Sequence, residues 1–179
     1  MNSKLFTPRF LFVATAIIVA AASRLFPHIP NFTPIGAMAL FGGVYFSDKR
    51  VAFIIPLITM IVSDLALELI SGWAFHNTII YVYTSFILTT IIGLQVKRNT
   101  NPQTILAGSV ASSLLFFIIT NFGVWASSGF PMGITGLSTT YVMGIPFFGP
   151  TLLGDLFFNA ILFGSFYLAQ RKIPALAKG

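Results

Sequence analysis

Residues 51–71 read VAFIIPLITMIVSDLALELIS and follow directly on the basic pair Lys49-Arg50. As a helix rising ~1.5 Å per residue, the stretch covers about 30 Å, the thickness of bilayer hydrocarbon. Its basic lead-in places the start on the cytoplasmic side, because loops there collect Lys and Arg. Toward the other end two carboxyls, Asp64 and Glu68, stand four residues apart and so share one helix face. This is the pattern of a membrane-spanning helix with polar business near its outer end.

The composition agrees. Of 179 residues 56% are hydrophobic and 8% are charged, against roughly a quarter charged in a soluble domain. That excludes an ordinary water-soluble globule. At ~20 residues per crossing, six crossings take about 120 residues, so the expected architecture is one all-α domain over residues 1–179, with no room for an appended catalytic or ATP-hydrolysing domain. Cysteine is absent, which removes disulfides, thiolate metal sites and thiol nucleophiles.

Six apolar stretches are expected to span, at about 9–26, 33–47, 51–71, 77–96, 103–126 and 146–169. The second is short, rising ~22 Å as a helix, with Pro30, Pro34, Gly42 and Gly43 in or beside it. Such a segment is tolerated only where protein covers it. With both termini cytoplasmic, Lys4, Arg9, Lys49, Arg50, Lys97, Arg98, Arg171, Lys172 and Lys178 all fall inside. Arg24 alone falls outside, so the basic residues form no nucleic-acid patch. A competing reading takes the first stretch as a signal peptide cleaved after Ala20-Ala21-Ala22-Ser23, which would leave an odd span count. The connection 127–145 is apolar for a loop, and its four glycines argue against a continuous helix. It is expected to fold back over the outer mouth of the bundle.

Ionisable groups at membrane depth are costly and usually face a cavity or a partner. Three of the four acids, Asp64, Glu68 and Asp155, lie inside spans. Counting ~1.5 Å per residue from the outer span ends puts Asp64 ~10 Å, Glu68 ~5 Å, Asp155 ~13 Å and Asn121 ~8 Å deep. Arg24, His28 and Asn31 sit at the first outer connection. Two readings stand side by side. In one, Asp64, Asp155, Glu68, Asn121 and Arg24 form a solute pocket whose acids take a cationic or hydrogen-bond-donating ligand, with Trp125 on its wall. In the other, Arg24 pairs with an acid, and Asn121 and Asn159 bond neighbouring backbone and fasten the bundle. His28 and His76 without Cys or an HExxH spacing point to no metal site. Trp73, Tyr81, Tyr83, Trp125 and Tyr141 are explained by interfacial anchoring. Ala16 and Ala20, one turn apart and extended by Ala14 and Ala21, would admit a neighbouring helix closely, within the bundle or from a partner; Gly108 and Ser112 repeat the spacing.

The run RLFPHIPNFTP at 24–34, followed by GAMALFGG at 36–43, Asp64 after Pro56, and LLGDL at 152–156 resembles an uncharacterised family of small bacterial membrane proteins labelled as transport proteins. That family is in turn similar to the substrate-binding S components of energy-coupling-factor vitamin transporters. The resemblance implies a six-helix S-component-like fold in the bacterial cytoplasmic membrane. It also implies that Ala16 and Ala20 meet a transmembrane coupling subunit served by separate ATPases. It carries no substrate. No GxxxxGK[ST] run occurs in the chain, so a P-loop cannot supply ATP chemistry here.

The expected function is therefore a non-enzymatic, cofactor-free membrane subunit capturing a small solute, vitamin-like or cationic, from the outer side. The alternative is an accessory subunit of a larger membrane complex. An intramembrane enzyme, with Asp64 and Asp155 as an acid/base pair, lacks any accompanying nucleophile or metal motif.

Overall fold

The computed structural model describes residues 6–72, 74–127 and 129–177; Lys4, Trp73, Ser128 and Lys178 lie outside them. Among the described residues six α-helices form: α1 (Pro8–Ser23), α2 (Ile35–Tyr45), α3 (Lys49–Ser71), α4 (Ile79–Val96), α5 (Pro102–Ser127) and α6 (Ile134–Lys172). Short 3-10 turns follow α4 at Lys97–Asn99 and α6 at Pro174–Leu176, and no strand occurs among the described residues. By length and composition α3 to α6 can each cross a membrane, whereas α1 and α2 are shorter apolar helices.

Local chemistry sets the ends. The Thr7 side chain accepts from Phe10 N–H at 3.1 Å and Pro8 opens α1. Asp48 caps α3 by accepting from the N–H groups of Arg50 and Val51, and Gly72, at φ 67°, closes it with a bond to the Glu68 carbonyl. At α5, Asn101 and Thr104 cap reciprocally: the Thr104 N–H donates to Asn101 Oδ1 at 2.9 Å and the Asn101 N–H to Thr104 Oγ1 at 3.1 Å. Helix α2 has no side-chain cap of its own, because its first flanking residue is Pro34.

Helix α2 is the axis of the molecule. It touches all five other helices, and residues 37 to 44 are buried throughout. Its 11 residues, inside the expected span 33–47, rise only ~16 Å. Before it comes the segment 24–34, which turns at Ile29-Pro30-Asn31-Phe32 through a bond from Phe32 N–H to the Ile29 carbonyl. Asn31 there has φ 63°, in the Pro-Asn arrangement of a type II turn. Phe32 then packs on Phe157 and Phe158 of α6. The opposite end of α2 is held by Arg9 Nε and Lys97 Nζ, which donate to the carbonyls of Tyr45 and Phe46 at 2.9 and 2.5 Å.

Among lipid tails, apolar burial gives helices little reason to associate, and close packing has to do the work. Helices α2 and α4 cross backbone to backbone: a Cβ placed on Gly43 would stand 2.9 Å from Gly93 Cα. Apolar side chains on the outward face of α3, such as Ile58, Leu65 and Leu69, are left exposed, as suits a membrane-embedded chain.

The connection 127–145 departs from its expected form. Residues 134–145 are the first turns of α6, a helix of 39 residues that at ~1.5 Å each is longer than the hydrocarbon core is thick. The glycines that read as helix breakers serve contact instead. Gly136, Thr140 and Gly144 recur every fourth residue and are buried; Gly136 lies against the Pro131 backbone of the preceding turn, and Gly144 against Asn121 of α5. Tyr141 Oη donates to the Ile118 carbonyl in the same seam at 2.7 Å. Gly129 and Gly133, with positive φ, make the turn before it. Helix α1 is seated in the core through Val13, Ile17, Ala20 and Ala21.

Gly43→Ala should cost about 1–3 kcal/mol through forced backbone separation. Gly164→Ala on α6, where a Cβ meets nothing within 4 Å, should cost none. Thermal denaturation of both variants in detergent checks this, and equal melting would contradict the close crossing.

Candidate functional site

Two acids from different helices line one cavity. Asp64 of α3 and Asp155 of α6 share a hollow of about 250 Å³ with Arg24, Asn31, Gly36 and Thr151. The hollow exists because α2 starts deep in the bundle and leaves the space above it to the extended segment 24–34. It reaches the surface at the α1–α2 and α3–α4 connections, where its lining residues Asn31, Ser71 and His76 are exposed.

Asp64 is fully engaged. Its Oδ1 is 2.6 Å from Arg24 Nη2, with the two side chains only 3% and 8% exposed, so the pair is shielded from water. Its Oδ2 accepts from Tyr83 Oη at 2.7 Å. Arg24 also donates through Nη1 to Ser63 Oγ at 2.5 Å and meets Met60 Sδ at 3.3 Å. Its Nε is buried with no hydrogen-bond partner among the described residues.

Asp155 is held differently. Ser113 Oγ of α5 donates to its Oδ2 at 2.6 Å, and its carboxylate lies against Gly36 at the start of α2. Gly36 stands in the first turn of α2, which Pro34 leaves without a side-chain cap, so the positive end of the helix dipole is at the carboxylate. Gly36 is required by this contact, since a Cβ there would collide with the Asp155 carboxylate. No cation among the described residues pairs with Asp155. One turn further along α6, Asn159 Nδ2 donates to Ser109 Oγ at 2.9 Å while its Oδ1 is buried without a partner among the described residues. Ser109 and Ser113 on α5 thus match Asn159 and Asp155 on α6 rung for rung.

The other expected site residues fall in different places. Asn121 lines a second hollow of about 310 Å³ that shares Asn31, His76, Val82, Phe116 and Thr151 with the first. Its Nδ2 donates to the Phe117 carbonyl at 2.8 Å, and its amide lies against Gly144. Glu68 is on neither wall: its Oε2 accepts from the N–H groups of Ala74 and Phe75 at 2.9 and 3.1 Å and ties down the α3–α4 connection. Trp125 is on neither wall either, stacking near Phe122 with Nε1 directed to the Pro131 carbonyl at 3.3 Å. Ala16 and Ala20 face an apolar groove of about 620 Å³ between α1 and α6. Tyr83, read from sequence as an interfacial anchor, is a partner of Asp64. Ser63 and Ser113 were not anticipated. The serine spacing on α5, matched four for four with Asp155 and Asn159, was the available signal for Ser113; nothing in the sequence marks Ser63. No group of three or more His, Cys, Asp or Glu suited to a metal ion occurs among the described residues.

Fold and composition together define an all-helical chain with four membrane-length apolar helices. It belongs to DUF6580, a family of unknown function whose model matches residues 4–176. No curated protein and no solved structure matches it.

Breaking a buried ion pair from one side costs about 3–5 kcal/mol, because the surviving charge is stranded. Asp64→Ala should lose that much stability, and Tyr83→Phe about 1.5–3 kcal/mol for one hydrogen bond to a charge. The double variant Arg24→Ala/Asp64→Ala should lose less than the two single losses added, as measured by denaturant or thermal unfolding in detergent.

Proposed function

We propose that this chain is the solute-binding subunit of a membrane transporter: it captures a small molecule from the outer side, and a separate ATPase module drives uptake. The observation that carries the reading is the convergence of Asp64, Asp155 and Arg24, from three separate helices or their ends, on one hollow that opens at a single end of the bundle. In this reading the bundle crosses six times with both termini cytoplasmic, so the mouth faces outward. That orientation follows the distribution of Lys and Arg. At about 250 Å³ the hollow lies just under the ~300–1,000 Å³ usual for ligand sites, which suits a small solute.

Asp155 is the ligand-facing acid, since Asp64 is occupied by Arg24 and Tyr83. Arg24 and Asp64 together form a fixed wall. The α1–α6 groove that presents Ala16 and Ala20 is the face for a transmembrane coupling subunit, in keeping with the resemblance to S components. The same groove also favours a second reading, an accessory subunit whose buried polar pairs are fasteners and whose α1 packs on a neighbouring chain.

Native mass spectrometry of the protein released from its own membranes separates the two. Solute capture predicts a retained small molecule that is lost in Asp155→Asn and kept in Gly164→Ala. A stoichiometric partner chain of a larger complex, with no small molecule, would replace it with the accessory reading.

A further inference from the structure

We infer that the binding site has two chambers and takes a compound whose aromatic ring carries a hydrogen-bond donor, an N–H or O–H, with a polar group at the other end of the molecule. The inference rests on the solute-binding reading and names the chemical class that the site recognises.

The hollow of Asp155 does not stand alone. It shares Asn31, His76, Val82, Phe116 and Thr151 with the hollow of about 310 Å³ that holds Asn121, so the two are adjoining chambers. With its neighbour included, the site enters the volume range usual for ligand pockets. The chambers differ in chemistry. Around the first stand Arg24, Asp64, Asp155, Asn31 and Thr33. The second lies between α4, α5 and α6 and is bounded by Phe116, Phe117, Phe147, Phe148, Val82 and Val124. A ligand that fills both is polar at one end and apolar at the other. Aromatic rings that meet edge to face or offset gain more than the area they bury, so four phenylalanines favour a planar ring over a saturated body of the same size.

Asn121 sets the second requirement. A backbone carbonyl only accepts, so Nδ2 is the amide atom turned to Phe117. The oxygen, Oδ1, lies toward Gly144, where a Cβ would collide with it. No donor among the described residues reaches Oδ1, and it is not sealed in as Arg24 Nε and Asn159 Oδ1 are. Thr120 and Thr151 donate to the carbonyls of Phe116 and Phe147 on their own helices, which leaves their oxygens as acceptors too. Solvent supplies donors to this wall while the chamber is open. A ring that displaces the solvent must bring its own donor, or strand an acceptor that has lost its water.

Isothermal titration calorimetry on the full chain in lipid nanodiscs, with empty nanodiscs as the blank, tests this with three matched probes. They are 2-(4-hydroxyphenyl)ethanol, its 4-methyl ether, which lacks the ring donor, and 2-(4-hydroxycyclohexyl)ethanol, which keeps the donor on a saturated ring. The first should bind about fivefold or more tightly than either of the others, the worth of one hydrogen bond or of one aromatic contact. Asn121→Leu, which removes the acceptor, should level the phenol and its methyl ether. Comparable binding of the methyl ether or of the saturated ring overturns the inference, as does failure of all three to bind. The probe comparison is made on the unaltered protein, so it stands even where the variant does not fold. If native mass spectrometry finds a retained solute without an aromatic ring and ring donor, the chemical class is wrong while solute capture survives. If it finds none, both fall.

Discussion

The architecture turns on one interaction between a carboxylate and a helix end. Helix α2 begins in the middle of the bundle, after a proline that offers no side-chain cap, and its first amides would be orphaned in an apolar interior. Asp155 of α6 sets its carboxylate against that helix end at Gly36, and Ser113 of α5 donates to it. In hydrocarbon, unsatisfied backbone groups cost several kcal/mol each, so α2 can start at that depth only because Asp155 is there. The converse also holds, since a lone carboxylate at membrane depth is tolerated because a helix terminus faces it. Each of the two features makes the other possible.

The hollow is a consequence. A full-length second helix would fill the space between α3, α4, α5 and α6 from end to end. An eleven-residue helix fills only part of it, and the extended segment 24–34 reaches the surface without occupying the rest. The Arg24–Asp64 pair, with Ser63 and Tyr83 around it, then braces the segment against α3 and α4. The proposed binding role and the structural role of these polar groups are therefore not rivals: one acid is committed to fastening, and the other both caps a helix and faces the hollow.

Much of this was legible in the chain. Five of the six apolar stretches become helices close to the expected limits, because an apolar run bounded by Pro, Asp or Asn and by basic residues leaves little choice. The shortness of α2 was visible in Pro30, Pro34, Gly42 and Gly43. The residues before Pro146 were harder. Gly136 and Gly144 have a loop's composition, but Gly136 makes room for the Pro131 backbone and Gly144 for Asn121 of α5, and helical spacing of small residues reads the same way as chance until such neighbours are known. Within the site, Asp64, Asp155 and Arg24 could be found because charge is rare in such a sequence. Tyr83 and Ser63 could not, since hydroxyls in an apolar helix usually bond their own backbone, as Thr84 and Thr90 do here. Glu68 looked like a site residue because it sits one turn from Asp64. One turn was enough to bring it level with the α3–α4 connection, where loop amides claim it.

The central claim is that a hollow open to solvent at the proposed outer face reaches down beside α6 as far as Asp155. A chain with no cysteine allows a direct measurement. Single cysteines at Thr151, on the wall of the hollow, and at Gly164, further along α6 and away from it, can be exposed in intact cells to a membrane-impermeant thiol reagent. The account predicts rapid labelling at position 151 and none at position 164; a cysteine at 151 as inert as one at 164 would contradict it.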